Sequence, residues 1–591
     1  MTSLYEALDR KGEIPRPGWA MTNVSYALQI DKDGQLLDIF QLDKSTKREV
    51  PLHFKRSGQR PPAYFLCDNS MYCLGIESGK VPKVTEKSKM RFSLFAEKHQ
   101  ELLANCNSYA AKALLRFLEQ WNTEVALSNE IIASNISCFM KDANYLFMMS
   151  DGTFIHNDKE IRRVSDDSCS EQGKGEEGLC LVTGEQTEIV RIHNSVKGVI
   201  AKPSPNGWTL VSFDKDAFNS YGRKQGENAP VGKYAEFAYT TALNYLLAQK
   251  NSKGEQMAML IGDTTTVFWA EDAQEQYQEV FANISCTDDK VSSGDLEAFV
   301  KAIANGENTD WDGLPVNPQN RFYILGIVPN AARLSVRFFL QDSFGNIMKN
   351  IKEHYERLEI VPNRQSDNRL INFSVEKLLL SIIRYDEKKK KKENMKRVSS
   401  QTAGEFFRSI INGSRYPSTL LQRTIIRIRA ESDKYNKDGE CIKRKISMRR
   451  AALIKAVLIK NHGYEIKEAL MKQEKNVAYC LGQLFCILEN IQRAASPELK
   501  VTIKDRYFNS ASVTPKVVMS TLFRLKTHHI RVVAREKPRL AGYFENEITD
   551  IMVKLGTDFP KTLTLEEQGM FILGYYQKRY EKKNNNIEEE N

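Results

Sequence analysis

RFYILGIVPNAARLSVRFFL, residues 321–340, holds two strand candidates, FYILGIV and RLSVRFFL, on either side of a turn around Pro329 and Asn330. Aromatic and β-branched runs flanking such a turn predict an antiparallel pair. The pattern recurs upstream. VSYALQI and LLDIFQL, residues 24–30 and 36–42, join through Asp33 and Gly34. AYFLCD with MYCLGI, residues 63–68 and 71–76, reads as a second strand pair, and MAMLIG with TTVFWA, residues 257–262 and 265–270, as a third. Helices interrupt the strands, and KYAEFAYTTALNYLLAQ at 233–249 has the length and spacing of one. Antiparallel hairpins interrupted by helices predict an α+β fold rather than a doubly wound sheet.

The character changes at DEKKKKKENMKR, residues 386–397, a lysine-rich stretch without apolar periodicity that reads as a linker or exposed loop. Beyond it the chain reads as helix. TIIRIRA and ISMRRAALIKAVLIK interleave basic and apolar residues, and Arg423 and Arg427 stand four apart on one helical face. From residue 471 four amphipathic helices are expected. The first carries Val477, Leu481, Leu484, Phe485 and Leu488. The second starts at Thr514 and Pro515, the third stops at Gly556, and the fourth opens on a Thr564 to Glu567 capping box. The expected organisation is an N-terminal α+β region over 1–380, a linker over 381–400 and a helical domain over 401–591, with a four-helix bundle at 471–591. The tail after Lys583 is expected to fray.

The 591 residues exceed what one core usually supports, and a 41% hydrophobic, 27% charged composition excludes global disorder. No window approaches a membrane span and the N-terminus is not signal-like, so a cytosolic location and no membrane partner are expected. The ten cysteines are scattered singly, with no CxxC spacing, and read as buried thiols of a reducing compartment. Residues 1–380 carry 43 Lys+Arg against 50 Asp+Glu, whereas residues 381–591 carry 42 against 25. The excess concentrates at 381–470, with 23 basic and 10 acidic side chains. A charge bias this one-sided favours a polyanion partner, and Arg423, Arg427, Arg449 and Arg450 are its candidate contacts to a nucleic-acid backbone.

Catalytic constellations are missing from the sequence: there is no GxxxxGK[ST], HExxH or GxSxG motif, and no helicase box or HD pair. The neighbours His528 and His529 diverge on a helix, and Asp166 with Asp167 and Asp288 with Asp289 read as loop chemistry. No catalytic residue, metal or cofactor is expected. Binding chemistry is easier to place. In HFKRSGQRPPAYFLCDNSMYCLGI a basic loop with Lys55, Arg56, Ser57, Gly58 and Arg60 leads to a turn at Asp68, Asn69 and Ser70, followed by Tyr72. Such a loop can bring cations and N–H groups to phosphates, and an Asn amide matches an adenine edge; a plain surface loop and tight turn is the structural alternative. Asn330, Arg333 and Arg337 border the 321–340 strand pair, where arginines can equally pair with acids at the sheet edge.

CLVTGE (180–185), LVSFDKDAFNSYGRKQGENAPV (210–231), FAYTTALNYLL (237–247), GDTTTVFWAE (262–271), FYILGIVPNAARLSVRFF (322–339), DRYFNSASVTPKVV (505–518) and LTLEEQGMFILGYYQKR (563–579) occur in that order along the chain. Together with the opening TSLYEALDR they resemble the signature blocks of the large subunit of the type I-C CRISPR surveillance complex, Cascade. The resemblance implies a subunit that reads a protospacer-adjacent motif in duplex DNA while the guide RNA (crRNA) supplies sequence specificity. It also implies help in opening the duplex and holding the displaced strand. The implied partners are crRNA, target double-stranded DNA, the backbone, crRNA-processing and small subunits, and a recruited helicase-nuclease. In this light Lys55 to Arg60 and Asn69 become the leading motif readers, with Ser220, Tyr221, Gln225 and Asn228 secondary; a glycine-rich turn before a helix explains the latter group equally well. The resemblance also implies that some genes of this kind yield a separate small subunit from an internal start, for which Met471 is the candidate here. A metal-dependent nuclease and a stand-alone RNA-binding protein are the competing readings.

Overall fold

The strand runs fold into two separate four-stranded sheets in a computed structural model of the chain, which describes all residues except 44–46, 54–59, 172–175, 214, 252–253, 286–292, 312–313, 332, 363–372, 436–440, 500, 557–558 and 582–591. The chain divides into two units, Met1–Lys197 with Asn206–Tyr245, and Gly198–Pro205 with Leu246–Asn591.

The first unit contains α1 (Thr2–Lys11), β1 (Trp19–Thr22), β2 (Tyr26–Ile30), β3 (Leu36–Gln41), β4 (Arg48–Pro51), β5 (Asp68–Asn69), α2 (Ser70–Cys73), α3 (Glu86–Leu103), α4 (Tyr109–Gln120), α5 (Glu130–Ser134), β6 (Asn144–Met149), α6 (Lys159–Glu171), β7 (Glu177–Leu179), β8 (Gln186–Glu188) and the start of α7 (Lys233–Ala248). Its main sheet runs β3-β2-β6-β5. The hairpin read at Asp33 and Gly34 forms: Asp31 Oδ1 accepts from the N–H groups of Asp33 at 2.9 Å and Gln35 at 2.8 Å. Gly34 has φ 81°, a left-handed conformation that favours glycine, and a Cβ there would lie 2.4 Å from the Phe117 nitrogen. The strand pair expected from AYFLCD and MYCLGI does not form. Instead β5 pairs antiparallel with β6, and the chain turns into α2, whose Tyr72 and Cys73 are buried in the core.

The second unit contains β9 (Met259–Ile261), β10 (Thr264–Ala270), α8 (Glu275–Ser285), α9 (Ser293–Ala304), β11 (Thr309–Trp311), β12 (Leu314–Val316), β13 (Arg321–Asn330), β14 (Arg333–Ser343) and α10 (Phe344–Leu358). Helices follow: α11 (Val375–Ser381), α12 (Lys391–Met395), α13 (Ser400–Ile411) and α14 (Thr419–Ala430), then β15 (Lys434–Tyr435), β16 (Cys441–Lys443) and α15 (Met448–His462). The last five are α16 (Val477–Ala495), α17 (Ile503–Ala511), α18 (Pro515–Glu536), α19 (Pro538–Leu555) and α20 (Leu565–Arg579). The sheet order is β14-β13-β10-β9, all antiparallel, as the hairpin readings require. Phe268, Phe322, Ile324 and Phe338 join a single hydrophobic core that continues through Phe344, Phe407, Leu453 and Phe485 to Tyr576. The strands of 259–343 therefore share a core with the C-terminal helices, and the compact units divide at Tyr245/Leu246 rather than near residue 380. Stretch 386–397 is folded: the fully buried Asn394 amide donates to the carbonyls of Asp386 at 2.9 Å and Lys389 at 3.2 Å, and its oxygen accepts from the Asp386 N–H at 2.8 Å. Lys388, Lys389, Lys390, Lys391 and Lys396 around it are exposed.

Among the described residues five helices, not four, follow residue 471, because α17 is too short to show a clear periodicity. Helix α16 is buried on all sides from Ala478 to Glu489 and is the centre of the group. It crosses α20 backbone to backbone. A Cβ on Gly482 would lie 2.0 Å from the Phe571 carbonyl oxygen, and one on Gly574 would lie 2.1 Å from that of Tyr479. On its other side α20 meets α14 and α15, where Gly569 leaves room for Leu421, Ile454 and Leu458. Met471 is buried, its N–H donating to the Tyr479 hydroxyl at 3.0 Å. Segment 471–591 thus shares its core with residues that precede it.

Two glycine substitutions test the crossing. Gly574→Ala places a methyl against immovable backbone and is expected to lower stability by about 1–3 kcal/mol. Gly542→Ala, in the interior of α19 with nothing within 4 Å, is expected to raise it by up to ~1 kcal/mol through helix propensity. Thermal melting of both variants measures the difference, and equal shifts would refute the close approach.

Candidate nucleic-acid interface

Lys55, Arg56, Ser57 and Gly58 lie outside the described residues, as do Asp288, Asp289 and the tail after Lys583. From Pro61 onward the chain is held by side chains of the core. The Tyr72 hydroxyl donates to the Pro61 carbonyl at 2.9 Å, the Lys98 ammonium to that of Ala63 at 2.9 Å, and the Tyr64 N–H to Asp68 Oδ2 at 2.8 Å. Leu66 has φ 61°, an unfavourable left-handed conformation for a leucine. Its N–H donates to His99 Nε2 at 2.9 Å, and His99 Nδ1 donates to the Phe95 carbonyl at 2.7 Å. The two bonds fix one neutral tautomer, and complete burial pushes the imidazole down to about 3. Arg60 is exposed at the start of this stapled segment. Ser70 and Tyr72 are buried, and the Ser70 hydroxyl donates to the Ile76 carbonyl at 2.8 Å, so both hydroxyls are engaged within the fold. Asn69 differs. It precedes α2, and its side-chain oxygen is shielded with no hydrogen-bond partner among the described residues.

The second group is gathered by Asn228. Its amide oxygen accepts from the Ser220 N–H at 2.9 Å, and its amide nitrogen donates to the carbonyls of Gln225 at 3.1 Å and Arg223 at 3.3 Å. The base of the loop is pinned where the Gly226 N–H donates to the Arg191 carbonyl at 3.1 Å; a Cβ at Gly226 would lie 2.1 Å from the Val190 oxygen. Tyr221 and Gln225 take left-handed conformations, φ 53° and 45°, which such a hub can enforce. The result is a loop whose apex is Tyr221, 97% exposed, followed by the exposed Arg223 and Lys224. The sequence reading named Ser220, Tyr221, Gln225 and Asn228 but passed over these two cations, which only their exposure beside the tyrosine brings forward.

Asn330, Arg333 and Arg337 belong to the second unit. Asn330 is exposed at the β13–β14 turn, and Arg337 sits at the bulge where the register shifts, 3.7 Å from Asp263. The arginines of the basic region separate into different environments. Arg450 is buried; it donates to Glu431 at 2.8 Å and to the carbonyls of Ser381 and Lys445, each at 2.8 Å. Arg427 pairs with the same Glu431 at 2.9 Å, and Arg449 is half-buried. Arg423 and Arg427 line a cavity of about 280 Å³ together with Arg384, Arg397, Ile382, Ile383 and Ile426. Neither Arg384 nor Arg397 was singled out in the sequence, because the lysine run between them dominates the local charge. Among the described residues no three His, Cys, Asp or Glu side chains gather to hold a metal ion, and no helix is long and apolar enough to cross a membrane.

Comparison with known families matches residues 1–582 to a family model described as CRISPR-associated protein (Cas_Csd1). No curated protein matches the chain.

His99 shares its neutral burial with other histidines. Burial pushes His156 and His193 down to about 4 and His354 well below its ordinary value. In the unfolded chain these groups titrate near 6.5, so from about pH 6.5 down to 4 the unfolded state binds protons that the folded state refuses. Each such histidine therefore removes up to ~1.4 kcal/mol of stability per unit fall in pH within that window. The melting temperature is expected to drop steeply between pH 6.5 and 5, above the range where carboxylates protonate; a flat profile would contradict the neutral burial.

Proposed function

Because the chain belongs to the family of CRISPR-associated Csd1 proteins, we propose that it is the large subunit of a type I-C surveillance complex and recognises the protospacer-adjacent motif in duplex DNA. Its partners in this reading are crRNA, the backbone, crRNA-processing and small subunits, target DNA and a recruited helicase-nuclease. The subunit carries out no chemistry of its own: it binds, helps to open the duplex and stabilises the displaced strand.

The observation that carries the reading is the Asn228-braced loop with Tyr221 at its apex. An aromatic ring held in solvent gains nothing within the fold, yet a rigidly presented ring can wedge into a base step, and neighbouring cations can seat on phosphates. Arg223 and Lys224 supply those cations. The unpartnered oxygen of Asn69 supports the motif-reading half of the proposal, since a shielded acceptor costs about 1–3 kcal/mol unless a ligand donor meets it.

In the assembled complex, Tyr221→Ala is expected to slow opening of the duplex beside the motif, read by the fluorescence of 2-aminopurine placed there. Asn69→Ala is expected to narrow the affinity difference between duplexes with and without the motif by roughly tenfold, the value of a lost base contact of ~1–3 kcal/mol. Wild-type behaviour of both variants would sink the assignment. Purification without crRNA or a repeating backbone subunit would favour a stand-alone RNA-binding protein instead.

A further inference from the structure

The cavity beside α14 is built differently from a surface charge patch. Arg423 and Arg427 project from one face of the helix with Ile426 between them in sequence, and the opposing wall comes from Ile382, Ile383, Arg384 and Arg397. Two of its arginines are oriented by acids: Arg397 lies 3.4 Å from Asp386, and Arg427 lies 2.9 Å from Glu431. Glu431 is itself shared with Arg450 at 2.8 Å. Arg384 and Arg423 have no acidic partner among the described residues. The site therefore gathers four guanidinium groups around an apolar surface, with Ile426 48% exposed, and leaves two of the four uncompensated.

A cavity of about 280 Å³ lies just below the ~300–1,000 Å³ typical of ligand sites. It has room for one nucleotide and not for a duplex. A paired nucleotide offers only its phosphate to such a site, whereas an unpaired nucleotide offers phosphate to the arginines and an apolar base face to the exposed Ile426. We infer that this cavity takes a single nucleotide of an unpaired strand, with its phosphate at Arg384 and Arg423 and its base or sugar against Ile426. The inference extends the nucleic-acid role proposed above to a second place in the molecule, but uses none of the residues that carry that role.

The test uses the full chain and a fluorescent oligothymidine of about 20 nucleotides. Arg384→Gln/Arg423→Gln is expected to weaken its binding roughly tenfold near 0.1 M salt and to make the salt slope shallower by about 1.4, as loss of two phosphate contacts on a single strand requires. Binding of a duplex of the same length should change less than twofold. Because neither guanidinium has an acidic partner, the double variant should melt as the wild type does; Ile426→Asp, on the exposed wall, is a second variant expected to weaken the oligothymidine and not the duplex. Unchanged single-strand binding, or an equal loss on strand and duplex, would overturn the inference. Thymidine monophosphate serves as the competitor: if it binds as tightly as the strand and with the same dependence on Arg423, the occupant is a free nucleotide and the strand assignment fails. Wild-type behaviour of both Tyr221→Ala and Asn69→Ala would reject the motif-recognition proposal while leaving these outcomes readable.

Discussion

The backbone-to-backbone passage of α16 and α20 through Gly482 and Gly574 is the constraint on which the second unit depends. At that separation no side chain fits between the helices, and the residues on either side must close around the crossing. Below it the buried Glu489 carboxylate accepts from the Tyr575 hydroxyl at 2.5 Å and from Thr502 at 3.2 Å, and pairs with Arg493 at 2.9 Å and Arg579 at 3.3 Å. Burial alone would raise this carboxyl, but Arg579 and Lys504 outweigh it and hold it below the usual range. A charge in such a place is tolerated only when fully paired, so the network also fixes where α17 begins. Lys504 continues it to Asp433 at 2.7 Å, a pair almost wholly out of water. The far side of α20 then decides the position of α14, because Arg429 donates to Gln568 and Leu421 packs over Gly569. The arginine-lined cavity is thus presented by a helix whose inner face is set by the glycine crossing.

The first unit positions its candidate residues by another device. Its loops are organised by single polar side chains that satisfy several backbone groups at once: His99 for the segment around Leu66, Asn228 for the loop around Tyr221. Each hub holds residues in left-handed conformations that an unbraced loop would leave. Rigid loops of this kind suit recognition, since little conformational freedom remains to be lost on binding.

Much of the fold was legible because turns and caps are local. Asp33 and Gly34, Thr514 and Pro515, Gly556 and the Thr564 to Glu567 box all mark the ends of elements where the sequence places them. Helix α17 was missed although Thr502 and Asp505 form a capping box, since nine mixed residues carry too little periodicity to declare a helix. The failed strand pair at 63–76 has a non-local cause: His99, far along the chain, accepts the Leu66 N–H that a strand would have paired. The shared core of the second unit was hidden for the same reason, because a change in charge near residue 386 says nothing about which apolar residues meet. Arg423 and Arg450 look alike in sequence, and only the placement of Glu431 and Ser381 makes one the wall of a cavity and the other a buried tie.

Site-specific crosslinking tests the account most directly. A target duplex carrying 4-thiothymidine at and beside the motif would be bound by the assembled complex, irradiated, and the protein digested for mass spectrometry. The account predicts an adduct on this chain within residues 219–228, centred on Tyr221. Crosslinks confined to other subunits, with the DNA demonstrably bound, would contradict it.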